Sequence, residues 1–150
     1  MSAVRRERSS RGSLSSTEYQ ILADFRYHLA GFLRRRKDAA RNEGIQPQQY
    51  EMLLAISGLA DQKQPTIKEL AQQLCLEHHT VVELADRLEK KGLLARSASA
   101  ADKRAVLVRV TPAGQRVLSR IVRFSFAQLQ EEAPELIRSL RRILRKHPGR

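Results

Sequence analysis

Residues 78–87 combine side chains that could read nucleic-acid bases from one face of a helix. The segment is HHTVVELADR, and helical steps of about 100° from an inward Val81 place Glu83 and Asp86 outward. Imidazoles and hydroxyls donate to guanine or phosphate, a carboxylate accepts from cytosine, and an apolar side chain contacts the thymine methyl group. The predicted base-reading residues are His78, His79, Thr80, Val82 and Glu83, with Arg87 flanking them.

Two short amphipathic helices must position that face. Thr66-Ile67-Lys68-Glu69 has the form of a capping box, in which the threonine accepts from a helical amide and the glutamate reaches back. Apolar residues follow at helical spacing on either side of Cys75-Leu76: Ile67, Leu70, Ala71 and Leu74, then Val81, Leu84, Ala85 and Leu88. Gly92 is predicted to end the second helix behind Lys90 and Lys91, whose charges its C-terminal dipole favours.

Two runs of β-type residues follow these helices. Residues 93–96 and 105–110 predict the strands of a hairpin, with a polar, basic loop at 97–103. A helix-turn-helix followed by a hairpin is the winged-helix arrangement, in which the second helix fits a DNA major groove and the loop reaches a neighbouring groove or the backbone. The predicted fold class is therefore mainly α with a small β-hairpin wing.

The charge of the chain agrees with a polyanionic partner. The 150 residues contain 28 Lys and Arg against 16 Asp and Glu, a formal net charge of +12. Such a charge attracts phosphate without indicating a fold, and a merely basic globular protein would share it.

No apolar run approaches the length of a membrane span or resembles a signal peptide. The single cysteine fits a reducing cytosol, so we predict a cytoplasmic protein with no membrane partner.

Amphipathic helices are predicted on both sides of a winged helix at about 46–110. They span about 17–42 and about 112–146, and Pro134 predicts a break within the second region. Their apolar stripes include Leu22, Phe25, Leu29, Phe32, Leu136, Ile137, Leu140, Ile143 and Leu144. A monomeric winged helix does not need so much apolar helical surface, so these are predicted as the dimerisation helices of a symmetric homodimer. All of these elements are predicted to form a single domain over 16–150.

Two smaller segments complete the organisation. Residues 1–15 are rich in serine and arginine and predict a disordered basic arm, either a solvated tail or a source of phosphate contacts. Pro47 is predicted at the first position of a helix with Tyr50, Leu53 and Leu54 inward.

Four segments carry a resemblance to a known family. They are QPQQYEMLLA from Gln46, TIKELAQQL from Thr66, DRLEKKGLL from Asp86 and DKRAVLVRVTPAG from Asp102. In this order they resemble the signatures of the MarR (multiple antibiotic resistance regulator) family over about 18–146. The resemblance implies a homodimeric winged-helix transcription regulator of double-stranded DNA, usually a repressor released by a small ligand or by oxidation. A dimer of this kind binds a pseudo-palindromic operator.

The resemblance also assigns roles in the wing. Arg104 falls where the Asp-x-Arg motif of the family places a minor-groove arginine, and Asp102 matches the aspartate that orients it. A surface ion pair within the loop is the alternative, and such pairs contribute little. Lys103, Arg96 and Lys68 are predicted as supporting phosphate contacts.

The base-reading segment departs from the family. Relatives carry small hydroxyl residues near 77, 79 and 82 and an arginine at 83, whereas this chain has Glu77, His79, Val82 and Glu83. A glutamate in the groove repels phosphates unless a base donor matches it, so the operator sequence of the family cannot be carried over to this chain.

The pair His78-His79 has two equally weighted interpretations: residues that contact bases, or exposed residues at the start of the helix without a base role. Adjacent helical histidines diverge by about 100° and no cysteine pattern completes a tetrahedron, so no metal or other cofactor is predicted.

A small-molecule effector would need a cleft. Tyr19, Tyr27, His28 and Tyr50 could line one between the terminal helices and the winged domain, although aromatics at helical spacing are more often core. Cys75 falls in a turn where relatives often have glycine, and we interpret it as a small half-buried residue.

Other classes of function fit the sequence less well. It contains no Gly-rich phosphate loop, nucleophile elbow, metal quartet or catalytic acid pair, which disfavours an enzyme. An RNA-binding module would present aromatics for stacking, whereas this chain has no Trp and few Phe. The alternative to a promoter-specific regulator is an RNA-binding or architectural nucleic-acid-binding module, and sequence-specific duplex binding separates them.

Overall fold

The predicted fold class, mainly helical with one small hairpin, is confirmed. The computed structural model describes residues 14–59 and 63–146. Within these residues the elements are, in order, α1 (Ser16–Asn42), α2 (Pro47–Leu59), α3 (Ile67–Leu74), α4 (His78–Lys90), β1 (Leu94–Ala98), β2 (Val106–Val110) and α5 (Pro112–Lys146). The basic arm predicted for 1–15 lies outside the described residues, apart from Leu14 and Ser15.

The chain divides into two compact units. The larger unit, Arg34–Gln128, contains the winged helix, and the smaller unit combines Met1–Leu33 with Leu129–Arg150. The helices α1 and α5 each contribute residues to both units.

The larger unit has a continuous apolar core. It buries side chains from α2, α3, α4, both strands and α5: Met52, Leu53, Ile56, Leu70, Val81, Leu84, Leu88, Leu94, Val108, Leu118 and Ile121. The whole predicted stripe of α4 is buried, which confirms the helical spacing read from the sequence. Because burial of apolar surface stabilises by about 25 cal/mol per Å², this stripe determines which face of α4 remains outside.

Both ends of the helix-turn-helix have the local structure that the sequence predicts. The Glu69 amide donates to Thr66 Oγ1 at 3.1 Å, and the Thr66 amide donates to Glu69 Oε2 at 3.5 Å, which completes the capping box. Beyond α4, Gly92 has a φ of 70°, and the Leu93 amide donates to the Leu88 carbonyl at 3.0 Å. This is a Schellman ending, in which glycine occupies the left-handed position without a Cβ penalty.

Lys91 connects the end of α4 to the turn between α1 and α2. Its Nζ donates to the Gly44 carbonyl and to Gln49 Oε1, both at 3.2 Å. Gln49 is buried, and its Oε1 also accepts from the Gln46 amide at 3.0 Å. This lysine therefore satisfies two oxygens through tertiary contacts, in addition to the helix-dipole interaction predicted for it.

The wing is an antiparallel hairpin with a third short partner. Leu94 lies opposite Val110, and β1 extends to Ala98, beyond the predicted 93–96. The Val108 amide donates to the Pro65 carbonyl at 2.9 Å, so the residues ahead of α3 pair with the outer edge of β2. This pairing was not predicted from the sequence, and it connects the hairpin to the start of the helix-turn-helix.

The predicted break at Pro134 is wrong, because α5 continues through it as one helix. A proline within a helix removes one backbone hydrogen bond and crowds the preceding turn, but Pro134 is exposed and the apolar stripe continues on both sides of it.

No helix in the described part of the chain is both long and apolar enough to span a membrane.

The predicted burial of Leu54 is also wrong. Leu54 is 42% exposed, whereas its neighbour Leu53 is fully buried. Adjacent residues of a helix point about 100° apart, so α2 cannot direct both leucines into one core. Tyr50 is buried as predicted for this helix.

The smaller unit joins its two helical segments through a polar cluster. Ser139 is buried, and its hydroxyl donates to Asp24 Oδ2 at 2.7 Å. Arg142 lies 3.5 Å from the same oxygen, and His28 Nε2 lies 3.5 Å from Asp24 Oδ1. The serine hydrogen bond, and to a lesser extent the charges of His28 and Arg142, lower the pKa of Asp24 from its usual value.

Candidate nucleic-acid interface

The outward face of α4 presents the predicted base-reading side chains. His78, His79 and Glu83 are exposed, and Thr80 is half-buried. Val82 is also half-buried and packs partly against the core, so only part of it remains available to a partner. The helix places these residues together because its opposite stripe is held in the core.

The three carboxylates of α4 differ in their surroundings. Arg96, in β1, donates from Nε to Glu89 Oε2 at 2.7 Å, and its Nη2 lies 2.7 Å from Asp86 Oδ1. The hydrogen bond to Glu89, assisted by Asp86, raises the pKa of the Arg96 guanidinium above its ordinary value. Glu83 makes no ion pair with any residue in the described ranges. Arg96, predicted as a phosphate contact, is thus occupied by two carboxylates.

The wing loop is shaped by short polar contacts of its backbone. The Ser99 hydroxyl accepts from the amides of Ala101 and Asp102, each at 3.3 Å. Asp102 Oδ1 then accepts from the Arg104 amide at 3.0 Å. Asp102 therefore orients the backbone at Arg104, while no hydrogen bond joins its carboxylate to the Arg104 guanidinium.

Cationic side chains surround this face without internal neutralisation. They are Lys68 on α3, Arg87 and Lys90 on α4, and Lys103 and Arg104 in the wing loop, and all are exposed. None of them forms an ion pair with another residue that the structure describes. A surface cation without a carboxylate partner is available to bind a phosphate. Contacts of this kind supply the sequence-independent part of nucleic-acid affinity.

The aromatic residues predicted for an effector cleft do not share one environment. Tyr50 is buried in the core of the larger unit, which confirms the alternative that it is a core side chain. Tyr27 is 75% exposed, with its ring edge-on to that of His28 at 5.2 Å. Tyr19 borders a cavity of about 230 Å³ in the smaller unit, lined by Leu14, Glu18, Tyr19, Ile21, Leu22, Ile143 and Lys146.

Cys75 is exposed, so the prediction of a half-buried residue is wrong. It has φ 53° and ψ 41°, and it is the one residue other than glycine with a positive φ in the described ranges. The Leu76 amide donates to the Ala71 carbonyl at 3.0 Å, so Cys75 occupies the position of the glycine in a Schellman ending of α3. That geometry leaves the Cys75 side chain exposed to solvent.

Comparison with known proteins agrees with this geometry. The model of the MarR family matches residues 43–105, which contain α2, the helix-turn-helix, and the first strand and loop of the wing.

Over this segment the chain is similar to the MarR family.

Similar proteins include transcription regulators and solved structures of the same fold. A Thauera aromatica protein, provisionally named a transcriptional regulatory protein for the hcr operon, is 29% identical over 111 residues, 74% of this chain and 65% of that protein. The chain therefore matches just under two thirds of that relative's length. AbsC, a MarR family transcriptional regulator from Streptomyces coelicolor, superposes with a TM-score of 0.73 at 18% identity, over 88% of this chain and 92% of that one.

A second solved structure contains a nucleic acid. A mutant of S. aureus MepR bound to an oligodeoxyribonucleotide superposes with a TM-score of 0.62 at 20% identity, over 89% of this chain and 99% of that one. At these identities the two structures establish the fold of this chain.

Proposed function

We propose that this chain is a MarR-family transcription regulator that binds double-stranded DNA in a sequence-specific way. The observation that carries the proposal is the group of exposed cations on α3, α4 and the wing loop that no described carboxylate neutralises. In this proposal α4 lies in the major groove and Arg104 at the loop tip enters a neighbouring minor groove. The MepR structure has the same fold and a bound oligodeoxyribonucleotide, which supports DNA as the partner.

The base contacts follow from the outward face of α4. His78 and His79 donate to guanine or phosphate, and Thr80 donates to phosphate. Glu83 accepts from a cytosine amino group, and the exposed part of Val82 contacts a thymine methyl group. Arg87, Lys68 and Lys103 contact phosphates, which position the protein without carrying sequence information. Arg96 is omitted because Asp86 and Glu89 already balance its charge.

The regulator acts as a homodimer. Support comes from large apolar side chains of the smaller unit that a single copy leaves exposed: Tyr19, Leu22, Ile137, Leu140 and Leu144. Burial of such side chains against a second copy stabilises by about 1.5–3 kcal/mol each when complete. A symmetric dimer would read a pseudo-palindromic operator with half-sites about one helical turn apart.

The finer proposal is a repressor that a small molecule releases. The apolar cavity of about 230 Å³ beside Tyr19 and Leu22 suits a small apolar or aromatic compound. Because this cavity lies between residues of α1 and α5, a compound bound there would act on the same helices that we assign to the dimer.

Selection of duplexes from a random-sequence pool by the purified full-length chain tests the function. We expect a pseudo-palindromic site bound about 10³-fold or more tightly than mixed-sequence DNA. Equal affinity for every duplex would instead indicate an architectural protein, and preference for single-stranded RNA would indicate an RNA-binding module.

Analytical ultracentrifugation tests the assembly separately. We expect a dimer at micromolar concentration for the full chain, and a monomer or aggregate after removal of 134–150, which should further expose Leu22, Phe25, Leu29 and Phe32. A full-length chain that sediments as a stable monomer would contradict the homodimer.

A further inference from the structure

One guanidinium joins the wing to the helix that we place in the major groove. Arg96 lies in β1, whereas Asp86 and Glu89 lie on α4, three residues apart and thus on neighbouring positions of one face. Both contacts measure 2.7 Å, and they use different nitrogens of the same planar group. The Arg96 side chain is 29% exposed, and the side chains of Asp86 and Glu89 are 47% and 45% exposed, so the cluster lies at the protein surface.

The two carboxylates balance the charge that a phosphate would need. A guanidinium binds anions through a rigid fork of N–H groups, and here Nε and Nη2 already point to Glu89 and Asp86. A DNA phosphate bound to the remaining N–H groups of Arg96 would lie beside two carboxylates. The attraction between the phosphate and the guanidinium would then be offset by repulsion from those carboxylates.

The same contacts separate the roles of the acidic residues of α4. Asp86 and Glu89 share Arg96 as an ion-pair partner, whereas Glu83 has no ion pair with any described side chain. Glu83 is therefore the carboxylate of α4 that has only the nucleic acid to pair with. The charge of Arg96 reduces the repulsion between phosphates and the other two carboxylates, without removing the discrimination that Glu83 provides.

We propose that Arg96 is a positioning residue of the DNA-binding surface. It holds the wing against α4 and keeps Asp86 and Glu89 from repelling phosphates, without contacting DNA itself. This role rests on the proposed function, because it has meaning only if α4 and the wing bind a duplex together.

Binding of a duplex selected by the wild-type chain, measured by fluorescence anisotropy at several salt concentrations, tests the role. Arg96→Ala should weaken binding by about tenfold or more while the slope of log affinity against log salt stays unchanged. A lost phosphate contact would instead reduce that slope by about 1. The matched control is Arg109→Ala, which removes one cation from β2 of the same wing and does not touch the contacts between Arg96 and α4.

Neutralisation of the two partners supplies the decisive comparison. In the combination Arg96→Ala with Asp86→Asn and Glu89→Gln, most of the lost affinity should return, because no carboxylate remains to be balanced. If Arg96→Ala alone fails to fold, the affinity and salt slope of this combination still test the role of Arg96, since the combination leaves no unpaired charge at the site. Thermal melting of each variant separates loss of fold from loss of binding.

Two results would overturn the role. One is a salt slope reduced by about 1 in every variant that lacks Arg96, with no recovery in the combination, which would make Arg96 a phosphate contact. The other is unchanged affinity in Arg96→Ala. A wild-type chain that selects no duplex would overturn the proposed function as well, so the two failures are distinguishable.

Discussion

The hydroxyl of Thr111 donates a hydrogen bond of 2.6 Å to the carbonyl oxygen of Gly92. The same hydroxyl accepts from the Gly114 amide at 3.1 Å, so one threonine joins the end of α4 to the first turn of α5. A Cβ added at Gly114 would overlap the Leu93 carbonyl oxygen and lie 2.7 Å from Val110 Cγ1. The glycine is therefore required for the close approach of α5 to the base of the wing.

Gly114→Ala should lower the free energy of unfolding by about 1–3 kcal/mol, because the backbone of Leu93 must move to admit the methyl group. Urea denaturation followed by circular dichroism measures it. Gly58→Ala is the matched control, since a Cβ at Gly58 in α2 meets nothing within 4 Å. There the better helix propensity of alanine should stabilise by up to about 1 kcal/mol. Equal stabilities for the two variants would contradict the close approach.

Cys75→Gly should leave the free energy of unfolding equal to that of the wild type or raise it by up to about 1 kcal/mol, because glycine adopts the left-handed conformation without a Cβ clash. Cys75→Val should lower it, since β-branching makes that conformation more costly. The measurement is denaturation under reducing conditions, which excludes intermolecular disulfides. If valine proved as stable as glycine, the turn would not hold Cys75 at positive φ.

Arg104→Ala should weaken binding to the selected duplex by about an order of magnitude or more, because a minor-groove arginine interacts with a concentrated negative potential. Its melting temperature should stay close to that of the wild type, since the exposed loop tip supports no core. Lys103→Ala, next to it in the loop, should have a smaller effect as a simple phosphate contact. Equal affinity of wild type and Arg104→Ala would show that the wing does not engage DNA.

Glu83→Gln should tighten binding to mixed-sequence duplex and narrow the gap between that duplex and the selected site. The carboxylate repels phosphates in general but accepts a hydrogen bond from cytosine at its own position, a discrimination of about 1–3 kcal/mol. Competition assays across several salt concentrations measure both affinities. A mutant with the full specificity ratio would place the readout on His78, His79 and Val82 instead.

Ser139→Ala should raise the pKa of Asp24 toward the ordinary 3.8, because the serine hydrogen bond is the main cause of its depression. A carboxyl whose pKa is lower in the folded state stabilises the fold above the unfolded pKa, and loses that contribution as pH falls through the folded pKa. The wild type should therefore lose stability below about pH 3.8, and the variant should lose less. NMR titration of Asp24 and acid unfolding measure the two effects.

His28 and Arg142 also face Asp24, so the control for this titration is a serine away from them. Ser119→Ala, which removes only a hydrogen bond to the Arg116 carbonyl within α5, should leave the Asp24 titration unchanged. An Asp24 pKa that does not respond to Ser139→Ala would rule out the serine as its cause.

The sequence by itself determined the features that depend on near neighbours along the chain. The capping box needs only Thr66 and Glu69, and the end of α4 needs only a glycine after the last helical turn. The buried stripe of α4 follows from helical spacing, and with it the outward face that carries His79 and Glu83. These interactions span three or four residues, so composition and spacing are sufficient to predict them.

Only the tertiary structure decided where charged and aromatic side chains find their partners. Arg96 was predicted to bind phosphate, but the hairpin returns it to α4, where two carboxylates lie within 2.7 Å. Tyr50 belongs to the core, and α5 continues through Pro134. Each outcome depends on atoms that are distant along the chain and adjacent in space, and the free energy of packing them together outweighs the local preference that the sequence displays.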